Sequence, residues 1–294
     1  MKYIIILLAV SSLASIQTTY AQISSGKVSS LVAAEDYFAS LAKEKGVKKA
    51  FLAVSDEQTL LFKPDPINAL TYFDKKAEST ELLSWKPSFA KISKSGDWGF
   101  TTGPYTYKPA VDEEKASYGQ YVSVWKMNKK GVWKLAIDLG ISHPKSNIEP
   151  QLNFIDPKST KFFNQYSESR LQQREDMILT SDKLFSKTLE GYKNLAYNVF
   201  LGDDARLLFP GFEPIIGKRN ITDFLRYQEL TIATEPLQAD RALSSDFAYT
   251  YGKANITKNN KTSSYNYLRI WEAQDGHKWN VILEIFSPAL NMSN

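Results

Sequence analysis

The sequence contains no cysteine among its 294 residues, which excludes disulfide bonds, thiol nucleophiles and a lipidated cysteine. The chain also lacks a strong excess of either charge, because it contains 36 Lys and Arg and 32 Asp and Glu. This balance argues against nucleic acid as a partner. Beyond the amino-terminal segment, no stretch approaches the roughly 20 apolar residues that a bilayer requires. We therefore expect no membrane insertion.

The short motifs of metal and phosphate chemistry are missing too. The sequence has no H-E-x-x-H, no G-x-S-x-G and no G-x-x-x-x-G-K-[ST]. Its two histidines, His143 and His277, lie beside Pro or Gly in separate loop segments. Together they provide no histidine-rich metal set. We therefore expect no bound metal and no cofactor.

The first residues have the pattern of a secretory signal peptide. Lys2 precedes an apolar stretch from Tyr3 to Val10, and small residues follow up to Ala21. This order of charge, apolar core and small residues is typical of a segment that is removed on export. The sequence predicts a signal peptide over residues 1–21, cleaved after Ala21, and a secreted or periplasmic protein.

The rest of the chain contains the same pattern twice. Residues 95–103 read SGDWGFTTG and residues 244–252 read SSDFAYTYG. Residues 34–62 also align with residues 181–209 without a gap, and the segments YVSVWKMNKKGVW and YLRIWEAQDGHKW form a further pair at nearly the same offset. Blocks that recur in one order indicate a tandem duplication. Asp97 and Asp246, at the start of the repeated strands, are predicted to cap turns.

Each predicted copy begins with helical periodicity and ends with alternating segments that read as antiparallel strands. Helices followed by a run of strands predict the α+β class. We place the first domain at residues 23–145, a proline-containing linker at 146–157, and the second domain, with a connecting helix, at 158–294. The two sheets are expected to be able to pair with each other within the chain.

This order of segments resembles the nuclear transport factor 2-like superfamily, in its SnoaL-like branch, over nearly the whole mature chain. The two most similar segments are the one with Pro214, Gly217 and Ile221 and the one with Trp133, Lys134 and Asp138. In the first copy the counterpart of the former, PINALTYF, lacks the glycine. The resemblance implies two cone-shaped domains, each with helices packed on a curved, mostly antiparallel sheet around a largely apolar pocket. It also implies a superfamily of isomerases, cyclases, dehydratases and binding modules.

Aromatic residues recur on one face of the repeated strands. Trp98, Phe100 and Thr102 alternate with small residues in the first copy, and Phe247, Tyr249 and Tyr251 do so in the second. These rings either fill a core or form the walls of a ligand cavity. The pocket residues that we predict are Trp98, Phe100, Trp125, Tyr249, Tyr251, Tyr267, Trp271 and Glu284.

Two carboxylates are the candidates for acid or base chemistry. Glu284 lies within an apolar final strand, and Asp138 is its counterpart in the first copy. Glu284 is either paired with Arg269 on a neighbouring strand, or forms the polar end of a pocket with Tyr267 or Tyr251 as hydrogen-bond donor. In the related ketosteroid isomerases an Asp directly before a Pro is the base; here Lys63 and Phe209 hold the matching positions.

Three functions follow from these observations. The first is a module that binds a small, largely apolar molecule with little or no catalysis. The second is a SnoaL-like enzyme that transfers protons, which would make it a cofactor-free acid/base lyase or isomerase. The third is a structural or interaction domain that pairs through its sheet faces. The volume and polarity of a pocket would distinguish them, because fold alone does not select function.

Overall fold

The computed structural model describes residues 27–78, 80–109, 115–162, 167–274 and 278–290. The predicted signal peptide and His277 lie outside these residues. The first unit extends from α1 to β8. Its elements are α1 (Val28–Lys45), α2 (Val47–Val54), β1 (Leu60–Phe62), β2 (Pro66–Asn68), α3 (Ala69–Lys75), β3 (Leu82–Trp85), β4 (Phe89–Ile92), β5 (Trp98–Lys108), β6 (Ser117–Met127), β7 (Trp133–His143) and β8 (Asn153–Ile155).

The second unit extends from α4 to β14. Its elements are α4 (Glu168–Tyr192), a short 3-10 helix (Lys193–Leu195), α5 (Ala196–Phe200), β9 (Leu201–Leu208), β10 (Ile215–Ile216), α6 (Lys218–Tyr227), β11 (Thr231–Arg241), β12 (Phe247–Lys258), β13 (Lys261–Ala273) and β14 (Trp279–Pro288). No helix among the described residues is both long and apolar enough to span a membrane.

The two units build two separate sheets. The first sheet has the order β2-β1-β7-β6-β5-β4-β8, with β3 also paired to β5, and the second has the order β10-β9-β14-β13-β12-β11. In each sheet the long strands pair in antiparallel orientation. The strand that follows the first helices of each unit pairs in parallel instead, β1 with β7 and β9 with β14. The α+β class predicted from the order of periodicities is confirmed.

Part of the predicted linker is ordered against the first sheet. Within residues 146–157, strand β8 pairs in parallel with β4. One residue beyond it, the Asp156 side chain accepts a hydrogen bond of 2.6 Å from the backbone N–H of Val28, at the start of α1. A carboxylate at this position compensates one of the free N–H groups of the helix start.

Alternation along the strands gives each sheet two buried faces. Along β6, Val122 and Val124 point to one side, whereas Tyr121 and Ser123 point to the other. The face with the two valines belongs to a core shared with the second sheet. The opposite face covers the helices, and Trp125, which follows the same alternation as Tyr121 and Ser123, packs there. Each sheet thus separates a helix-side core from a common core between the sheets.

The glycines that end the two repeated segments occupy matching places. A Cβ on Gly103 would lie 1.9 Å from the carbonyl oxygen of Lys86, and one on Gly252 would lie 2.1 Å from that of Glu235. Both distances are far below contact, so only glycine allows the neighbouring strand to approach so closely. The face of the repeated strands that has small residues therefore allows close backbone packing.

The large side of the same segments fills the core between the sheets. The Trp98 ring stacks on Phe247 with centroids 5.8 Å apart, and on Tyr249 at 6.4 Å. Phe62 meets Tyr251 edge-on at 5.8 Å. Trp98 is wholly buried. Rings in these arrangements add to the free energy gained from burying their area.

The turns before the repeated strands contact each other reciprocally. The hydroxyls of Ser95 and Ser244 lie 2.7 Å apart, and each serine oxygen accepts a 3.1 Å hydrogen bond from the other's backbone N–H. Each serine also donates to the aspartate two residues later, Asp97 or Asp246. Asp246 in addition accepts a 2.9 Å hydrogen bond from the N–H of Lys94 in the other unit. The repeated Ser-x-Asp pattern thus forms a nearly symmetric contact between the two units.

Candidate functional site

A cavity of about 370 Å³ opens on the helix side of the first sheet. Its size lies within the range of small-molecule sites, about 300 to 1,000 Å³. Helices α1 to α3 and strands β1, β3, β5, β6 and β7 contribute its walls. The lining is dominated by aromatic rings, namely Phe38, Phe51, Phe62, Tyr72, Phe73, Trp85, Tyr105, Tyr107 and Tyr121. Such walls suit a largely apolar molecule.

Asp138 provides a carboxylate in the cavity wall. It lies on β7 directly opposite Ser123 of β6, whose hydroxyl donates a 2.9 Å hydrogen bond to it. Loss of solvation within the protein raises the pKa of Asp138. The Lys63 ammonium and the hydrogen bond from Ser123 partly oppose this shift. The side chain keeps partial exposure. A carboxyl group of this kind can accept a hydrogen bond or a proton from a bound molecule.

Glu35 is a second carboxylate, wholly buried behind the cavity wall. It lies on the inner face of α1 and accepts hydrogen bonds from the indole N–H groups of Trp85 at 2.6 Å and Trp125 at 2.8 Å. The hydroxyl of Thr101 donates a third, at 2.5 Å. Burial raises the pKa of Glu35 to about 7 despite these donors, and nearby Asp138 adds to the increase.

Tyr121 lines the cavity close to the two carboxylates. Its buried hydroxyl forms no hydrogen bond of ordinary geometry with the described residues. Burial, followed by the effect of Glu35, raises the pKa of Tyr121 well above its ordinary value. A buried hydroxyl without a well-formed hydrogen bond is costly. The side chain that acts on this hydroxyl by hydrogen bonding is Thr101, which partly opposes the rise in the pKa of Tyr121.

Opposite charges pair at the cavity edge. Lys76 and Glu81 form a salt bridge of 2.7 Å, and the hydroxyl of Tyr107 donates to Glu81 at 3.2 Å. Burial lowers the pKa of Lys76. The hydrogen bond to Glu81 and the charge of Glu81 together outweigh that effect, so the pKa of Lys76 lies above its ordinary value. This pair links α3 to β3 and β5 across the cavity edge.

The second unit has an arginine at the corresponding place. Arg269 of β13 lies directly opposite Glu284 of β14, as Ser123 lies opposite Asp138. Its Nε donates to Glu284 at 2.7 Å, and its Nη1 donates to Asp182, a buried residue on the inner face of α4. The Tyr267 hydroxyl also donates to Asp182, at 2.8 Å. Burial raises the pKa of Glu284, and Arg269 opposes that shift.

The structure separates the predicted pocket residues into three groups. Trp98, Phe100, Tyr249 and Tyr251 lie in the core between the sheets, so these four pack as core rings. Tyr267 and Trp271 lie in the helix-side core of the second unit, and Glu284 forms the ion pair with Arg269. Trp125 lies in the helix-side core of the first unit and binds Glu35. Of the predicted residues only Asp138 lines the cavity.

Several residues of the site were not predicted from the sequence. Glu35 is the most informative, because it shares the buried face of α1 with Leu31 and Phe38. A carboxylate at a core position of a helical stripe is the signal that would have identified it. Tyr72, Tyr105 and Tyr107 carry no such signal, because only the packing of α3 and β3 against β5 brings them to one cavity.

No metal site is found in the described part of the chain. No group of three or more His, Asp or Glu side chains lies close enough together there to hold a metal ion. Asp138 in the cavity wall and Glu35 behind it form no ion pair with a Lys, Arg or His of the described residues. The cavity lining offers carboxyl groups, lysine ammonium groups, tyrosine hydroxyls and aromatic walls.

The chain was compared with known proteins. No protein-family model matches it, and no curated protein matches it. Solved structures do match. An NTF2-like protein from Cytophaga hutchinsonii is 20% identical and covers 39% of this chain and 97% of its own, with a TM-score of 0.33. A ketosteroid isomerase-like protein from Erwinia carotovora atroseptica is 15% identical and covers 44% and 100%, with a TM-score of 0.35.

A third similar structure is an LEH-like epoxide hydrolase from M. tuberculosis. It is 15% identical and covers 40% of this chain and 81% of its own, with a TM-score of 0.32. Each of these solved chains thus aligns with less than half of this protein.

Proposed function

We propose that this chain is a secreted protein with two tandem nuclear transport factor 2-like domains of the SnoaL-like branch, whose first domain binds a small, largely apolar molecule. The aromatic cavity of the first unit carries this proposal. The order of helices and strands within each unit, and the sequence pieces repeated between them, support the tandem arrangement. The second unit would then serve mainly as a structural partner, because a buried arginine occupies its corresponding place.

Native mass spectrometry of the protein purified from its host tests the binding function. We expect a retained non-covalent ligand that dissociates on denaturation. Leu83→Trp should displace it, because Leu83 lines the cavity. Leu82→Trp is the matched control: Leu82 is the preceding residue of β3 and is 56% exposed. Equal retention in both variants, or no ligand in the parent protein, would contradict the proposal.

Export is tested separately. The proposed removal of residues 1–21 predicts that the protein recovered from the periplasm or medium begins at Gln22. Intact mass measurement of that protein would show this. Recovery of the full-length chain from the cytoplasm of its host would contradict it.

Proton transfer is the second candidate function. It is favoured by Asp138, a carboxyl group with a raised pKa that faces an aromatic cavity. A ligand recovered from the protein should then exchange a carbon-bound proton in D₂O when wild-type protein is added, and much more slowly with Asp138→Asn. Proton NMR of the ligand measures this exchange. Exchange that is unchanged by the variant would exclude Asp138 as the base.

A further inference from the structure

The two units surround corresponding places with similar groups. In the second unit the guanidinium carbon of Arg269 lies 4.1 Å from the ring centroid of Phe185 and 4.5 Å from that of Tyr267. Two carboxylates, Asp182 and Glu284, complete the surroundings. Aromatic faces and carboxylates together are a favourable environment for a buried cation.

The first unit has similar groups at these places but no arginine. In the alignment of the repeated segments Phe38 corresponds to Phe185, and Tyr121 corresponds to Tyr267. Asp138 holds the place of Glu284, opposite Ser123 rather than opposite an arginine. Phe38, Tyr121 and Asp138 all line the cavity. Serine is too short to reach the place of the guanidinium. In the first unit Trp85 contacts Phe38 and Tyr121 there, with ring centroids 4.7 and 6.4 Å apart, whereas the Asp138 side faces the cavity.

We propose that the cavity of the first unit binds a molecule with a cationic nitrogen, an ammonium or guanidinium group, placed against Asp138 and the ring of Tyr121. This inference rests on the proposed binding function and adds the chemical class of the ligand. The apolar part of the ligand would occupy the region lined by Phe51, Tyr72 and Phe73. The Arg269 side chain is the internal counterpart of the bound cation.

The charges around the cavity fit a cation at this end. Asp138 accepts only from Ser123 among the described residues, so part of its hydrogen-bonding capacity is unused. Glu35 lies behind it and also lacks a cationic partner. Lys76 is already paired with Glu81 at the edge. Lys63 also lines the cavity and its charge lowers the pKa of Asp138, but the two form no salt bridge among the described residues. A cationic ligand would compensate Asp138 as Arg269 compensates Glu284.

Isothermal titration with two matched probes tests the inference on the full-length mature protein. The probes are naphthylethylammonium and the neutral naphthylethanol, titrated at about pH 8, where an alkylammonium remains protonated. We expect the ammonium probe to bind about tenfold or more tightly than the alcohol, since a hydrogen bond to a charged group contributes about 1.5 to 3 kcal/mol. Asp138→Asn should remove this preference and leave the affinity for the alcohol nearly unchanged.

Two further variants complete the design. Glu44→Gln is the control, because it removes one negative charge at an exposed position of α1 that does not line the cavity. It should keep the preference. Ser123→Arg recreates the pair seen in the second unit, and it should abolish binding of the ammonium probe while the protein still unfolds cooperatively. This variant decides the question if Asp138→Asn does not fold.

Each failure has a separate meaning. Binding of the alcohol with equal or higher affinity than the ammonium, or a preference that survives both Asp138→Asn and Ser123→Arg, would overturn the cation proposal and leave the binding function standing. Absence of binding by both probes would overturn the cation proposal. Absence of a retained ligand in native mass spectrometry as well would overturn the binding function.

Discussion

Replacing Glu35 by glutamine should change how the stability of the protein depends on pH. Glu35 is 0% exposed, and burial raises its pKa from an ordinary value of 4.5 to about 7. In the unfolded chain the group would titrate near 4.5, so between these two values the folded state holds more protons than the unfolded state. Folding stability therefore falls as pH rises through this range.

The size of the effect follows from the shift. Each pKa unit corresponds to about 1.4 kcal/mol, so the shift of Glu35 removes about 3 kcal/mol between pH 4.5 and pH 7 or slightly above. The contribution is fully present below pH 4.5 and is lost above the folded-state pKa. Glu35→Gln has no titrating group at this position, so its stability lacks this fall.

Urea unfolding monitored by tryptophan fluorescence, at a series of pH values from about 4.5 to 8, measures the difference. The free energy of unfolding of wild type relative to Glu35→Gln should decline by about 3 kcal/mol across the series. Titrating groups that do not interact with Glu35 cancel in this comparison. Glu44→Gln, at an exposed position of the same helix, is the control and should retain the wild-type profile. A difference that stays flat, or that rises with pH, would refute the reasoning.

Three other substitutions test the packing and the buried charges by denaturant unfolding. Trp98→Ala should reduce the free energy of unfolding by about 3 to 5 kcal/mol, because it leaves a cavity in the core between the sheets; a loss below about 1 kcal/mol would contradict that placement. Arg269→Met should cost about 3 to 5 kcal/mol by leaving two buried carboxylates without their cation; full stability at neutral pH would argue against the pair. Gly103→Ala should destabilise by more than about 1 kcal/mol through backbone overlap, whereas Gly191→Ala, with open space around it, should be neutral or stabilising.

The class and order of elements were predictable because they depend on local periodicity. The alternation from Trp98 onward and from Tyr121 onward predicted the strands that become β5 and β6. The helical spacing around Phe38 and around Phe185 predicted α1 and the second half of α4. These signals can be read from the sequence because residues on one buried face recur every two positions in a strand and every three to four positions in a helix.

The location of the cavity was not predictable in the same way. Alternation distinguishes a large face from a small face on the repeated strands, but both faces are buried, one by helices and one by the other sheet. The size of the side chains along a strand therefore does not show which face of the sheet lies toward the cavity. Trp98 and Tyr249 were assigned to a pocket for their size, yet they pack between the sheets.

The cavity depends on contacts between residues distant in sequence. Tyr72 from α3 and Tyr105 from β5 reach it from opposite sides. The fate of the two carboxylates was decided by a single neighbour on the adjacent strand, serine beside Asp138 and arginine beside Glu284. The ion pair of Glu284 was one of two predicted alternatives, and the structure contains that pair.

The reciprocal contact of Ser95 with Ser244 joins two halves of one polypeptide. Where two identical subunits meet around a symmetry axis, every substitution appears on both sides. A fused pair is free of that constraint, and its association does not weaken on dilution. One half can then acquire an arginine in its interior while the other retains a serine and an open cavity. Joining two units in one chain thus allows one interior to be closed by an ion pair while the other keeps a cavity.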